Sequence, residues 1–444
     1  MMKDKNLDYD WFKTTRVFEV FTKMKRAPSE RRLKDIWLKP KEYIKITSEY
    51  YLNQTNAYEM DFWSLTFGYE GSGKSSKNLM QYAYLIKKLG GDPKKEIVKD
   101  LILMQSEYAQ TVYLFSKNKI FKHPILTDDA HYIFGKYYGL TSESQSLLQL
   151  ARFSRDQQII NLLNTQVPQQ LFADIWRERV NTYEYCFSLN VVDKNDMIVG
   201  RYMYVAFYNV ENSQYLRLSK LVRLPIFWKM IITRYVPNYL TRFDVLFDEH
   251  KELYYTYKYI KSFYKQFYSL LRYLGVSKGR YFEMIFRLLS ALTDVEPYTN
   301  EYKAIVEHFI RNLPELTRRK FYEYGVIRKN PDMMSQSNPE GLDIHPELLY
   351  LVREYSEIIK VRTGLNNVNV KLIKKMAKES KEEDLVMETL RKVAVETGSN
   401  WIEYDYAVDG IKGVKNVDDV LKRLHRKGQI IISEINGRRL IRID

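Results

Sequence analysis

With 444 residues, 45% of them apolar and 28% charged, the chain is too long for one ordinary domain and has ample material for two to four cores. Its single cysteine, Cys186, excludes a disulfide scaffold and a cysteine-built zinc or iron–sulfur centre, and fits a reducing cytoplasm. The longest apolar stretch, Leu224–Ile232, is interrupted by Pro225 and Lys229 and falls far short of the roughly 20 residues that span a bilayer. The first residues, Met-Met-Lys-Asp-Lys-Asn, do not lead into a signal-peptide core. Seventy Lys and Arg against 55 Asp and Glu give a formal charge of +15, which favours a polyanionic partner, nucleic acid ahead of an acidic membrane. The 37 tyrosines suit either base stacking or thick helical cores, and the core is the expectation.

Residues 1–60 form a basic N-terminal segment. Between Lys13 and Lys39 it holds nine Lys or Arg and three acids, interleaved with Phe12, Phe18, Phe21 and Trp37. That pattern describes either an amphipathic surface segment or a grip on a nucleic-acid strand.

From Asp61 the texture becomes α/β. Phe62–Phe67 reads as a strand ending at Gly68, followed by a helix from Ser75 to Leu89 that Gly90-Gly91 stops. Asp100–Met104 reads as a second strand, and Ser106 as the N-cap of a helix reaching Lys119. Ile125-Leu126-Thr127 is a short strand delivering Asp128 and Asp129. Thr141 caps a helix to Asp156, and Ile159–Asn164 is a fourth strand ending at Thr165-Gln166. Alternating strands and helices predict a parallel sheet with right-handed crossovers. Tyr183–Val192 and Met197–Tyr208 predict a hairpin closing it. Beyond Ser213 the pattern is helical to Lys329, with Tyr255, Tyr259, Phe263 and Phe267 as a packing stripe, and Lys329–His345 has the composition of a linker.

The segment Gly68-Tyr69-Glu70-Gly71-Ser72-Gly73-Lys74-Ser75, followed by Ser76, satisfies the pattern G-x-x-x-x-G-K-[ST] between an expected strand and an expected helix. Glycines let successive N–H groups turn toward phosphate oxygens, and the helix adds its positive end. Lys74 would neutralise the β- and γ-phosphates and the Ser75 hydroxyl would ligate Mg²⁺. Such a loop needs an acidic strand end, which places Asp128 as metal-orienting residue and Asp129 as water-activating carboxylate. ATP and Mg²⁺ are therefore the expected cofactors.

The loop, the strand ending Asp128-Asp129-Ala130-His131, the stretch with Arg152 and Arg155, then Ile-Ile-Asn-Leu-Leu-Asn164-Thr165-Gln166 and Trp176-Arg177-Glu178-Arg179 together resemble the additional-strand P-loop ATPases. Within them the chain is most similar to the FtsK/HerA and zonula-occludens-toxin-like motor ATPases and to ATPases of archaeal viruses and plasmids. The resemblance covers Asp61 to Tyr208. It implies that Asp128 binds the metal, that Asp129 stands where these enzymes use Glu, and that Gln166 is a polar sensor. It also implies that Arg177 or Arg179, with Arg152 and Arg155 as alternatives, reaches a neighbouring subunit's site. A homo-oligomer is thus expected, with a hexameric ring as one form, in the cytoplasm (a host's, if the protein is viral) and without a membrane partner.

At the other end, an apolar-periodic helix over Lys381–Glu396, a short helix from Ile402, a helix over Asn416–Gly428 and a hairpin over Gln429–Ile443 resemble a winged helix-turn-helix domain. Lys422, Arg423, Arg426 and Lys427 on its third helix and Arg438 and Arg439 on its wing are suited to phosphate contact, with duplex DNA the favoured partner.

The expected fold is an α/β P-loop NTPase core with a parallel sheet, followed by an α-helical region and a C-terminal winged helix. The divisions are a basic segment (1–60), ATPase core (61–212), Tyr-rich helical domain (213–328), linker (329–346), helical connector (347–380) and winged helix (381–444). The expected function is a DNA-acting ATPase of a virus or mobile element, working as motor, translocase or helicase-like enzyme. The alternative is an initiator-like ATP switch that binds a specific DNA site.

Overall fold

Strand β1 (Phe62–Gly68) is buried at every position, which demands cover on both faces of its sheet. The computed structural model describes residues 9–24, 27–135, 149, 151, 154–192, 198–211, 235–243, 250–276, 279–335, 338–363, 370–414, 416–426, 429–435 and 438–443. It divides into two units, Met1–Lys251 and Glu252–Asp444.

In the first unit the described residues form a seven-stranded sheet, with β1 at its centre in the order β2-β3-β4-β1-β5-β6-β7. The strands are β2 (Leu101–Ile102), β3 (Pro124–Thr127), β4 (Ile160–Thr165), β5 (Thr182–Val192), β6 (Ile198–Tyr208) and β7 (Tyr239–Phe243). Pairing is parallel from β2 to β5 and antiparallel from β5 to β7. The register sets Phe67 against Thr165 and Gly68 against Cys186, so the C-terminal ends of β1 and β4 lie side by side.

Before the sheet come α1 (Tyr9–Lys13), α2 (Arg16–Thr22), α3 (Glu30–Ile36) and α4 (Pro40–Tyr58). Between its parallel strands lie α5 (Lys74–Lys88), α6 (Pro93–Asp100), α7 (Gln105–Lys117) and α8 (His131–Phe134). Alternation along β1 sorts its two faces. Trp63, Leu65 and Phe67 enter an apolar cluster with Tyr108 and Phe134. Ser64 and Thr66 face α4 and α5 instead, where the Thr66 hydroxyl donates to Asn78 Oδ1 at 2.8 Å.

That second face holds a buried polar cluster. Tyr43, Thr47, Tyr51 and Thr55 recur every fourth residue along α4 and are all buried, as the helical period requires. Glu184 on β5 and Lys77 on α5 are fully buried and pair at 2.6 Å. Tyr43 Oη (2.5 Å), Ser64 Oγ (3.0 Å) and Tyr51 Oη also donate to the Glu184 carboxylate. Burial pushes the carboxyl up, but the Lys77 ammonium and these donors more than offset it and hold Glu184 below its ordinary value.

Several expectations are corrected. The Asp100–Met104 strand is only Leu101–Ile102, because Asp92 caps and Pro93 opens an unforeseen helix, α6. Ser106 is not the cap of α7; Glu107 reaches back to the Leu103 and Met104 amides at 2.8 and 3.0 Å. Phe12, Phe21 and Trp37 are buried, Phe12 stacking on Trp37 at 4.5 Å, which removes them as a nucleic-acid grip. The basic segment belongs to the sheet unit rather than standing apart from it: the Leu38 amide donates to Leu240 O at 2.9 Å. Tyr239–Phe243, read as helical and placed beyond the 61–212 core, is an edge strand of the sheet. The helix capped by Thr141 lies outside the described residues up to position 148.

In the second unit, Tyr259, Phe263 and Phe267 of α9 (Lys251–Tyr273) are buried against Tyr355 and Phe286, as a packing stripe should be. Helices α10 (Gly279–Ala291), α11 (Asn300–Asn312) and α12 (Glu315–Glu323) follow. The supposed linker instead folds back on itself, joining two antiparallel strands, β8 (Ile327–Lys329), which ends where it begins, and β9 (Leu342–Ile344), which lies within it. Its polar residues work inward: Asn338 bonds Met333 O, Leu342 O and Leu342 N, and buried Asp343 accepts from Tyr302 Oη at 2.6 Å. Then come α13 (Pro346–Arg362), α14 (Val370–Thr397), β10 (Trp401–Glu403), α15 (Tyr404–Gly410), α16 (Val417–Arg426), β11 (Ile430–Ile435) and β12 (Arg438–Ile443). The last three strands pair antiparallel in the order β10-β12-β11 over a core that includes Leu390, Ile402, Leu424 and Ile441. The hairpin is as expected, while Ile402 begins in a strand rather than a helix; the turn Asn436-Gly437 lies outside the described residues.

Replacing Lys77 by Met would leave the Glu184 carboxylate without its counter-charge and cost about 3–5 kcal/mol in urea unfolding, and adding Glu184→Gln would restore much of it. Because Glu184 titrates lower folded than unfolded, its contribution is complete above about pH 4.3. It is lost as pH falls from there through the folded value, so acid unfolding of Glu184→Gln should show a shallower pH dependence.

Candidate functional site

The loop after β1 is shaped by three glycines with positive φ, Gly68, Gly71 and Gly73, the first and last in tight contact with their surroundings. Gly68 has φ +145°, and a Cβ there would lie 2.0 Å from the Cys186 carbonyl oxygen, so no side chain fits. Gly73 has φ +87°, and a Cβ would lie 2.8 Å from Met203 Sδ. Gly73 is also the N-cap of α5 and supplies no side-chain hydrogen bond, so the positive end of a 15-residue helix adjoins the loop. Lys74 Nζ lies over the loop, donating to Gly68 O (2.8 Å) and Tyr69 O (2.7 Å). Tyr69, Glu70 and Gly71 are exposed, whereas Ser72 is buried and its hydroxyl has no partner among the described residues. Ser75 and Ser76 are half-buried.

Asp128 and Asp129 follow β3 directly, as the sequence suggests. Ser75 Oγ donates to Asp128 Oδ1 at 3.2 Å, bringing the two expected metal ligands together. The organising residue, however, is one to which the sequence assigned no role. Asn164, at the end of β4 and 1% exposed, donates from Nδ2 to Asp128 Oδ1 and to Ser75 Oγ (3.3 Å). Its Oδ1 accepts from the Asp129 amide at 2.6 Å and its carbonyl from the Ala130 amide at 2.8 Å. These bonds hold Asp129 at φ +48°, a conformation that costs a non-glycine residue energy. Gln166 is exposed, and its carbonyl accepts from the Gly68 amide at 3.2 Å. The strand-end position of Asn164 is visible in the sequence, but which of Asn164, Thr165 and Gln166 turns toward the loop depends on register.

The candidate arginines lie elsewhere. Arg179, in the π-helical turn Asp174–Arg179, pairs with Asp61 Oδ2 at 2.9 Å, at the N-terminal end of β1. A seven-residue strand puts that pair about 20 Å from the loop. Burial pushes the Asp61 carboxyl above its usual value, partly offset by the Trp63 indole N–H and Arg179. Arg177 is exposed with its guanidinium over the Trp176 ring at 4.8 Å. Arg155 lines a cleft with Asp61, Glu178 and Arg179, and Arg152 lies outside the described residues. An arginine the sequence reading missed, Arg201 on β6, lies beside the loop at Gly71.

In the C-terminal part, Lys422, Arg438 and Arg439 are exposed, the Arg439 guanidinium lying 4.1 Å from the Tyr404 ring centre. Arg423 is turned inward toward Glu383 (3.4 Å) and Glu382 (3.8 Å). Lys427 lies outside the described residues, as does the side chain of Arg426.

No protein-family model matches the chain, and no curated protein matches it. Among solved structures it is similar to the N-terminal domain of zonular occludens toxin from Neisseria meningitidis, at 16% identity over 34% of this chain and 84% of that one, with TM-score 0.24. It is also similar to the genome packaging NTPase B204 from Sulfolobus turreted icosahedral virus 2, solved in complex with ATP-gammaS. That match has 14% identity over 34% of this chain and 94% of that one, with TM-score 0.22.

Asn164→Ala would remove the side-chain acceptor of the Asp129 amide and one donor to the Asp128 carboxylate. Unfolding of the purified protein without nucleotide should show a loss of about 1–3 kcal/mol.

Proposed function

We propose that the chain is a DNA-acting ATPase whose nucleotide site is the Gly68–Ser75 loop. The observation that carries this reading is the convergence of Lys74, Ser75, Asp128 and Asp129 at neighbouring strand ends, with Asn164 fixing three of them. Ligands of parallel sheets bind at such carboxyl ends. Lys74 would exchange its bonds to the Gly68 and Tyr69 carbonyls for the β- and γ-phosphates, and the first amides of α5 would face the phosphate oxygens. Ser75 Oγ and Asp128 Oδ1 are hard oxygen donors that suit Mg²⁺, which when bound offsets phosphate charge. Asp129 would accept the proton of the attacking water, its left-handed backbone aiming a side chain one methylene shorter than glutamate. Gln166 remains a candidate for orienting that water, and Arg177 and Arg179 for acting across a subunit boundary.

The order helix, strand, helix, helix, strand, strand over residues 370–443 supports a winged helix at the C-terminus, with Lys422 on its last helix and Arg438 on its wing facing solvent. In this reading the module holds duplex DNA, while a homo-oligomeric ring of ATPase units moves it in a virus or other mobile element. The short Asp129 carboxylate favours a second reading, a slow initiator-like switch in which ATP controls assembly on one DNA site.

ATPase assays with and without DNA decide between them. Lys74→Ala should abolish turnover, Asp129→Asn should lower kcat at least about 100-fold, and added duplex should accelerate the wild type. A site-specific footprint without DNA-stimulated turnover would select the switch, and hydrolysis unaffected by Lys74→Ala would remove the nucleotide site. In salt-dependent DNA binding, Lys422→Ala and Arg438→Ala should each weaken affinity and reduce the salt slope by about one. The inward-turned Arg423 should matter little to that slope.

A further inference from the structure

We propose that Arg201 is a phosphate-contacting arginine supplied by the same chain as the loop; the proposal rests on the reading of Gly68–Ser75 as a nucleotide site. The β5–β6 hairpin forms one wall of that loop. Gly68 pairs with Cys186, and Cys186 pairs with Val205, which fixes where β6 passes. Arg201 and Met203, two residues apart, point to one face of the strand. Met203 Sδ lies against Gly73 and Arg201 Nη1 against Gly71, 3.3 Å from where a Cβ would stand.

The guanidinium is oriented. Ser188 Oγ accepts from both Nε (2.8 Å) and Nη2 (2.6 Å), which fixes the fork and leaves Nη1 directed at the loop. Ser188 is neutral, and no carboxylate pairs with Arg201 among the described residues, so its positive charge is not neutralised by them. Gly71 lies midway along the loop, whose amides would cradle the phosphates in this reading. A planar fork in this place suits two phosphate oxygens. Arg179 is held by Asp61 at the far end of β1 and offers nothing here within its own chain.

During hydrolysis the water oxygen bonds to the γ-phosphorus, its proton passes to Asp129, and the bond from that phosphorus to the bridging oxygen breaks. The electron pair stays on the departing ADP. Arg201 keeps its proton throughout and stabilises the charge gathering on the β- and γ-oxygens. Ser188 is a positioning residue.

The test measures ATPase rates, and ATP, ADP and ATPγS affinities by calorimetry, for wild type, Arg201→Ala, Arg201→Lys and Ser188→Ala. Arg201 is exposed, so unfolding midpoints should stay unchanged. Arg201→Ala should lower kcat at least about 100-fold and weaken ATP more than ADP; Arg201→Lys should recover part of the rate and Ser188→Ala should fall between. Mixing Arg201→Ala with Lys74→Ala chains should regain no activity. A kcat and an ATP-to-ADP affinity ratio within twofold of wild type in Arg201→Ala would overturn the proposal, as would activity regained on mixing. Wild type that binds none of the three nucleotides would instead overturn the underlying site.

Discussion

The buried pairing of Lys77 with Glu184 is the constraint on which the rest of the sheet unit depends. Both groups are fully buried, so neither tolerates a shift of its helix or strand that would separate them. Lys77 is one turn along the helix that Lys74 begins, and Glu184 sits two residues before Cys186, whose carbonyl bounds Gly68. The same carboxylate takes hydroxyls from Tyr43 and Tyr51 of α4 and from Ser64 of β1. One charge thus fixes the relative placement of two helices and two strands. An apolar replacement of equal volume could pack as well, but breaking the pair by removing one partner would not be tolerated.

The loop is placed from below by that cluster and from the side by Asn164. Its amide satisfies a carboxylate, a hydroxyl and a backbone N–H at once, which uses nearly all the bonding an asparagine side chain has. Because β4 is paired to both β1 and β3, an asparagine at its end is the natural bridge between the loop and the two aspartates. Gln166, two residues on, is still tied to β1 through its carbonyl, which accepts from the Gly68 amide, but its side chain is exposed.

What the sequence disclosed follows from the range over which each signal acts. The strand β1, the loop, helix α5 and the strand ending in Asp128 are local patterns, and each formed where expected to within a residue or two. The hairpin β5–β6 was equally legible. The placements of Asn164 and Arg201 beside the loop were not, since they arise from register between strands and leave no spacing signature. The Lys329–His345 stretch misled because Asn, Ser and Gly mark solvent-facing linkers and inward-bonding loops alike; only the bonds of Asn338 and Asp343 separate the two. Cationic residues between Lys13 and Lys39 likewise concealed aromatic anchors that the core of the sheet unit needed.

Cys186 gives the molecule a practical property. Its thiol is wholly buried, and that burial pushes its pKa up to about 12, so at neutral pH it is a thiol and not a nucleophile. The chain has no other cysteine. A cysteine introduced at an exposed position therefore becomes the sole site for a maleimide dye or spin label. A pair of such cysteines opens distances within the chain to measurement without first stripping out a native residue.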